Sequence, residues 1–394
     1  METKQIRSII FLREILVLAL TCVGGPQAHY TAFIKTFVQK RRYISESELI
    51  ELQALCFFLP GPSSTQTLTA LAYKLGGVRL ALVTLLIWIL PSTLVMIAVA
   101  WSISFINPQR VSSAIQFIKP MAISFLFFAA YSIGRKVIHT KTSIVLLILS
   151  TSMAYIFRSP YITPLWIVLG GFATTYKFNQ QEKVDHQPFS IHWTHFILWA
   201  GIFLGAAILG FYTQSLPIRL FENFYRNGSL AIGGGHILKP LLYNEFVEFK
   251  NYLTRDEFLT GLGISELIPG PTFSFSTFVG ALSLKEYGFP GYILGGTLAT
   301  LGIFLPGTLL IFFVYRFWIQ LKQYRVVRAS LEGVNASSTG LTIAAGISLL
   351  EPLAADPVNI GIVAIAFVAL LFEKIKPYML IILGIFAGIA WGAI

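Results

Sequence analysis

Leu59-Pro60-Gly61-Pro62-Ser63-Ser64-Thr65-Gln66 stands in the middle of an otherwise apolar run, and a second Pro-Gly-Pro, Pro269-Gly270-Pro271, interrupts another. A glycine cluster lies 36 residues ahead of each: Gly24-Gly25-Pro26 ahead of Pro60, and Gly233-Gly234-Gly235 ahead of Pro269. Each cluster is followed by a histidine, His29 or His236. Each Pro-Gly-Pro is preceded by a helix-start signature, Ser45-x-x-Glu48 or Thr254-x-x-Glu257. The chain therefore reads as a duplication. Glycine and proline that break helices at matched points of two apolar halves point to a transport site at a repeat interface.

Composition places these breaks in a bilayer. Of 394 residues, 55% are hydrophobic and only 12% charged, and the mean hydropathy is +0.71. That is too apolar for an ordinary soluble protein. Runs such as Leu80 to Trp101 and Ile360 to Phe372 suit helical spans, and the alternating pattern of an outer-membrane barrel is absent. The expected fold class is an all-α polytopic membrane protein. The apolar run near the N-terminus has no small-x-small cleavage site after Leu20 and reads as the first span rather than a leader. Cys22 and Cys56 both lie in apolar segments and read as packing residues, with no disulfide framework and no thiolate metal site.

About 13 transmembrane helices are expected, near 8–37, 47–72, 78–105, 110–134, 142–157, 160–177, 192–213, 216–247, 256–279, 288–317, 325–349, 355–373 and 377–393. The net charge of +11 fits the positive-inside rule better than nucleic-acid binding, since no basic stripe is interleaved with aromatics. It puts the N-terminus in the cytoplasm, with one exception: Lys40-Arg41-Arg42 falls on the opposite side, so that either the first hairpin does not cross fully or those charges serve the anion path. The polar stretch from Asn179 to Gln187 divides the chain, giving an N-terminal half at 1–178, a linker at 179–191 and a C-terminal half at 192–394. Seven crossings separate the two glycine clusters, an odd number, which makes the repeat inverted. Two further landmarks recur: Leu90-Pro91-Ser92 as Leu305-Pro306-Gly307, and Arg110-Val111 as Arg325-Val326.

At the first break, Pro62 suits the first position of a new half-helix, which leaves the amides of Ser63, Ser64 and Thr65 without intrahelical acceptors. Free amides at a helix N-terminus suit an oxyanion, and the hydroxyls add uncharged donors. The second copy offers Thr272, Ser274 and Ser276, so facing half-helices would hold a tetrahedral dianion between them. The competing reading is that these hydroxyls satisfy their own helix backbone. The glycine clusters read as unwound segments lining a cavity, against plain close packing of helices. Glu266, whose first-half counterpart is Phe57, is expected to carry a proton. His29 and His236 would donate to the anion or relay a proton. Lys74, Lys119 and Lys239 are the nearest cations for charge balance, whereas Glu14 reads as a solvated partner of Arg13. No hydrolase, nucleotide, zinc-protease or EF-hand signature is present, and no cofactor or metal is expected.

With these residues the chain resembles the chromate ion transporter (CHR) family in its long, two-domain form. The family's Phe-Gly-Gly-Pro-x-x-His, Leu-Pro-Gly-Pro-x-x-x-Gln and Gly-Tyr-Arg elements are similar to Val23-Gly24-Gly25-Pro26-Gln27-Ala28-His29, Leu59 to Gln66 and Ala72-Tyr73-Lys74. Its second-half Phe-Gly-Gly-Gly-His and Leu-Pro-Leu-Leu are similar to Ile232-Gly233-Gly234-Gly235-His236 and Leu238-Lys239-Pro240-Leu241-Leu242. Val23, Ile232, Lys74 and the inserted Lys239 are departures. Lysine for arginine removes a bidentate fork for an oxyanion. The resemblance implies an inner-membrane chromate exporter, with sulfate as a look-alike anion. Absence of any nucleotide site points to proton-motive force as the driver. Sulfate uptake or exchange, and a membrane scaffold whose glycines only pack helices, are the competing readings. Oligomeric state is left open between a monomer and a homo-oligomer.

Overall fold

A computed structural model describes residues 2–23, 25–103, 116–157, 162–176, 193–231, 235–315, 325–372, 375 and 377–392. The chain is helical, with no β-strand element among these residues. The N-terminal half contributes α1 (Glu2–Thr21), α2 (Gly25–Phe33, continuing as a π-helical turn, Ile34–Lys40), α3 (Glu46–Phe58), α4 (Ser63–Ile103), α5 (Ile118–Val137), α6 (Lys141–Phe157) and α7 (Ile162–Thr175). Then come α8 (Thr194–Thr213), α9 (Leu216–Leu230), α10 (Gly235–Leu242, continuing as a π-helical turn, Tyr243–Phe249), α11 (Arg255–Ser265), α12 (Phe275–Ser283), α13 (Gly288–Val314), α14 (Arg325–Leu350), α15 (Pro357–Leu371) and α16 (Pro377–Gly392).

The duplication is carried into local geometry. The two π-helical turns lie 209 residues apart, the separation between Pro60 and Pro269. Arg42 and Asn251, at the same separation, are both left-handed, at φ 50° and 54°. Both expected helix starts form reciprocal caps: the Ser45 amide donates to Glu48 Oε2 at 3.1 Å and the Thr254 amide to Glu257 Oε2 at 2.8 Å, each answered by the glutamate's own amide. Gly77 (φ 71°, ψ −164°), which interrupts α4, is matched in conformation by Gly288 (φ 64°, ψ −158°) at the start of α13. Beyond that point each half continues with three further helices, α5 to α7 in the first and α14 to α16 in the second. Among the described helices α8 alone has no counterpart.

Two expected spans are hairpins rather than continuous helices. In an unbroken helix residues 26 apart would be separated by about 39 Å. Yet Phe11 and Phe37 have ring centroids 5.4 Å apart, and Lys40 Nζ is 3.2 Å from Glu14. The chain thus reverses at Cys22–Gly25, and α2 runs back beside α1. Likewise Lys74 on α4 pairs with Glu48 at the start of α3, so the chain reverses again at Pro-Gly-Pro. One consequence is that the Lys40-Arg41-Arg42 cluster lies back alongside Glu14 on α1 instead of beyond the far end of a straight span. A second corrects Glu14, which is buried and holds Arg41 and Lys40 rather than Arg13 in solvent.

The chain forms two compact units, each drawn from both halves. The first comprises Met1–Ile103, Ile191–Gly235 and Ser265–Arg316. In it α13 packs against α4, α9 and α12. Glycine allows the close crossing of α12 and α13, because a Cβ on Gly280 or Gly295 would press into the carbonyl of the other. Among the described residues three helices are long and apolar enough to cross a membrane: Ser63–Ile103, Thr194–Thr213 and Lys285–Val314, all in this unit. The exposed Ile197, Leu204, Ile208 and Phe211 of α8 form an apolar surface suited to lipid.

The second unit comprises Ser104–Ser190, His236–Ile264 and Phe317–Ile394. Here α14 is central, packed on α5, α6 and α7. Its contacts are small residues with hydroxyl links, as helices in lipid require. Thr174 Oγ1 accepts from the Gly333 amide at 3.1 Å, and Thr151 Oγ1 donates to the Gly340 carbonyl at 3.0 Å. Among its described residues, five apolar helices of this unit are shorter: Ile118–Ser132, Lys141–Phe157, Leu165–Thr175, Pro357–Leu371 and Pro377–Gly388.

Two outcomes follow. With Cys22 and Cys56 replaced, cysteines at Phe11 and Phe37 should be joined within one chain by a short bifunctional thiol reagent, seen as a mobility shift; no cross-link would mean the first segment runs straight. Gly280→Ala should destabilise the first unit by about 1–3 kcal/mol through overpacking, read as a lower midpoint of thermal unfolding in detergent.

Candidate functional site

The Pro-Gly-Pro segments are built by what proline and glycine can and cannot do. Prolines withhold amide donors, and the intervening glycines take up φ 121° (Gly61) and 107° (Gly270), a region open in practice only to glycine. Each of those glycines then bonds to the opposite half. The Gly61 amide donates to the Ala231 carbonyl at 2.9 Å, and the Gly270 amide donates to the Cys22 carbonyl at 3.0 Å. Cys22 and Ala231 are themselves 209 residues apart and end α1 and α9, just before the glycine clusters. The proline-kinked helices complete the arrangement. A Cβ on Gly61 would lie 3.2 Å from Gly307 Cα, and one on Gly270 would lie 3.2 Å from Ser92 Cβ. Ser92 and Gly307 are the residues that follow Pro91 and Pro306. All of these residues belong to the first unit.

At the first break α4 begins at Ser63, and its first internal bond runs from the Gln66 amide to the Pro62 carbonyl at 2.8 Å. The amides of Ser63, Ser64 and Thr65 precede that bond and have no acceptor within their helix, as expected. His29, fully buried on α2, sets Nδ1 3.0 Å from Ser64 Oγ. Its ring lies beside the backbone of Cys22 and Gly270 and edge-on to Trp88, while Nε2 makes no hydrogen bond. Trp88 Nε1 donates to Thr65 Oγ1 at 3.1 Å. Gln66 Nε2 donates to the Pro60 carbonyl (2.8 Å) and to the Gly307 carbonyl (3.2 Å), which fixes the amide's orientation and leaves Oε1 buried without a donor. Deeper in the helix Thr67 and Thr69 bond to the carbonyls of Ser63 and Thr65, so self-satisfaction holds for them but not for Ser64.

The second break differs. Residues Thr272–Ser274 form a 3-10 turn, in which the Ser274 amide donates to the Pro271 carbonyl at 3.0 Å and its hydroxyl turns onto the same carbonyl. Ser274 is thereby consumed locally. Ser276 Oγ is buried and unpartnered. Thr272 Cγ2 lies 3.6 Å from the position of a Cβ on Gly25 (φ 76°), so the start of α2 and the second break adjoin.

Other candidates are placed as follows. Pro26 is half-buried on α2, and Gly235 opens α10. Gly24, Gly233, Gly234 and the side chain of His236 lie outside the described residues. Glu266 is half-buried in the turn between α11 and Pro269. Lys74 is engaged with Glu48 at the far end of its hairpin, and Lys119 pairs with Asp256 at 2.9 Å. Lys239 is half-buried on α10. Cys22 and Cys56 are free and buried. Sequence reasoning did not attach Trp88, Ser92, Gly307 or the carbonyls of Cys22 and Ala231 to the site. The recurring Leu90-Pro91-Ser92 and Leu305-Pro306-Gly307 landmarks were the available signal.

Comparison with known proteins gives the same direction. A family model described as chromate transporter matches residues 9–175 and 218–389. An uncharacterized transporter of Methanocaldococcus jannaschii is 22% identical over 95% of this chain and 92% of its own length. A chromate transport protein of Pseudomonas aeruginosa is 24% identical over 85% of this chain and 79% of its own. A probable chromate transport protein of Synechococcus elongatus is 24% identical over 93% and 91%. No solved structure matches. Apolar helices broken at paired Pro-Gly-Pro segments and a family match over nearly the whole chain lead to one conclusion: this integral membrane protein belongs to the chromate transporter family.

Proposed function

We propose that the protein is a secondary transporter that moves chromate, a tetrahedral oxyanion, out of the cytoplasm across the inner membrane and so confers chromate resistance. The observation that carries this reading is the first break. Three helix-start amides, the Ser64 hydroxyl and a buried histidine converge where two half-helices end, an arrangement suited to desolvating and holding an anion. The chemistry is binding and release rather than covalent conversion. Proton-motive force is the proposed driver, with Glu266 at the second break as the coupling carboxylate. Sulfate uptake or exchange is the alternative, because sulfate shares chromate's shape and charge.

The hairpins support an inverted arrangement of the two copies. If α1 with α2, and α3 with the first part of α4, enter and return on the same side, the segments that cross between the two glycine clusters are the rest of α4, then α5, α6, α7 and α8. That makes five, an odd number, so the copies are inverted, as seven straight spans would also have made them. With Lys40-Arg41-Arg42 on the N-terminal side, the positive-inside rule supports a cytoplasmic N-terminus.

Cysteines at Ser47 and Asp256, equivalent exposed positions 209 residues apart, test the inversion once Cys22 and Cys56 are replaced. They should react with a membrane-impermeant thiol reagent from opposite faces; labelling from one face would refute it. Proteoliposomes should show saturable chromate flux that rises with an imposed pH gradient and is blocked by Pro60→Ala with Pro62→Ala. Glu266→Gln should retain chromate binding but lose the gradient dependence. Sulfate flux with no chromate flux would favour the alternative.

A further inference from the structure

The two breaks share backbone geometry but not chemistry. At 209 residues' separation His29 corresponds to Leu238, Ser64 to Phe273 and Gln66 to Phe275. Trp88, in the segment where the separation is 215, corresponds to Ile303. His29, Ser64, Gln66 and Trp88 are thus each replaced by a hydrocarbon side chain, whereas Ser63 and Thr65 keep hydroxyls as Thr272 and Ser274. Phe273 and Phe275 are fully buried, as is Leu238 but for a trace. The remaining hydroxyl at the equivalent of Thr65, Ser274, is turned onto Pro271.

Backbone supply differs as well. The first break opens a regular α-helix, with three successive amides ahead of the first internal bond. The second opens with a 3-10 turn that already uses the third amide, and α12 does not begin until Phe275. Beyond the helix start, the first break has a fully buried histidine, His29, with Nδ1 anchored to Ser64 and the ring set against the backbone of Cys22 and Gly270. Among the described residues of the second break the corresponding buried polar atom is Ser276 Oγ, one turn into the helix.

We propose that the anion is bound by the first break alone, by the amides of Ser63 to Thr65 and the Ser64 hydroxyl, whose proton is free for the anion when His29 Nδ1 donates to its oxygen, and that the second break serves movement rather than binding. This rests on the transport reading and narrows it, replacing a dianion shared between facing half-helices with a single asymmetric site. Gly270 at φ 107°, tied to the Cys22 carbonyl and packed against Ser92, is the pivot: its bond joins the second break to the segment that carries His29. Displacing the second break would remove the backbone beside the His29 ring and open the site, while the anion's own donors stay on α4.

The experiment is chromate binding to the purified full chain in detergent, with sulfate as a second probe, set beside flux in proteoliposomes. Ser64→Ala and His29→Gln should each weaken binding about tenfold or more, the loss expected of a hydrogen bond to a charged ligand. Ser276→Ala should leave binding unchanged. Gly270→Ala should bind as the wild type does and lose flux. Equal losses of affinity in Ser64→Ala and Ser276→Ala would overturn the proposal in favour of a shared site, as would wild-type binding by Ser64→Ala. Should Gly270→Ala fail to fold, the comparison of the two serine variants decides. A wild type that neither binds nor moves either anion would instead refute the transport reading itself.

Discussion

Broken helices leave amides and carbonyls without partners in an interior that holds little water, and each such group costs about 1–3 kcal/mol if left unsatisfied. Two hydrogen bonds answer this at the centre of the first unit, Gly61 to Ala231 and Gly270 to Cys22. They cross between sequence halves in a reciprocal pattern, so the break in one half is closed by the end of a helix in the other. Much else is arranged around them. Glycine is required at 61 and 270 because the bonds need a left-handed backbone there. The reversals at 22–25 and 60–62 bring His29 to Ser64 and Tyr30 to Thr67. Pro91 and Pro306 place Ser92 and Gly307 where the two glycines can approach them.

Much of this was legible because proline and glycine speak through backbone geometry, which sequence spacing preserves. Matched clusters, caps at Ser45 and Thr254, and the helix start at Ser63 could all be read from the residues. What could not be read was direction. A run such as 8–37 has the same hydropathy whether it crosses or folds back, and only the approach of Phe37 to Phe11 and of Lys40 to Glu14 distinguishes them. Glu14 beside Arg13 looked locally satisfied for the same reason. The partners of the breaks were hidden too, since a carbonyl that accepts a bond from 209 residues away carries no side-chain signature. Trp88 looked like one apolar residue among many, although its ring nitrogen reaches Thr65.

Repetition of backbone and divergence of side chains are separable here. The π-helical turns, the left-handed residues at 42 and 251 and the glycine kinks recur because a common chain path demands them. Side chains at the tips have no such constraint. His29, Ser64 and Gln66 stand where the other copy has leucine and two phenylalanines. A polar cluster in one copy and an aromatic one in the other gives a framework that repeats in shape around chemistry that does not.

The crossed amide bonds also bear on how such a chain can be inherited. Because Cys22 completes a turn begun at Gly270, and Ala231 one begun at Gly61, each half acts as the other's template, and neither can satisfy its own breaks in isolation. A change that shifts the end of α1 is felt first at a turn nearly 250 residues downstream. The backbone turns that exchange these bonds are thus coupled across the two halves, and a half borrowed from a distant relative would arrive with turns fitted to the wrong partner.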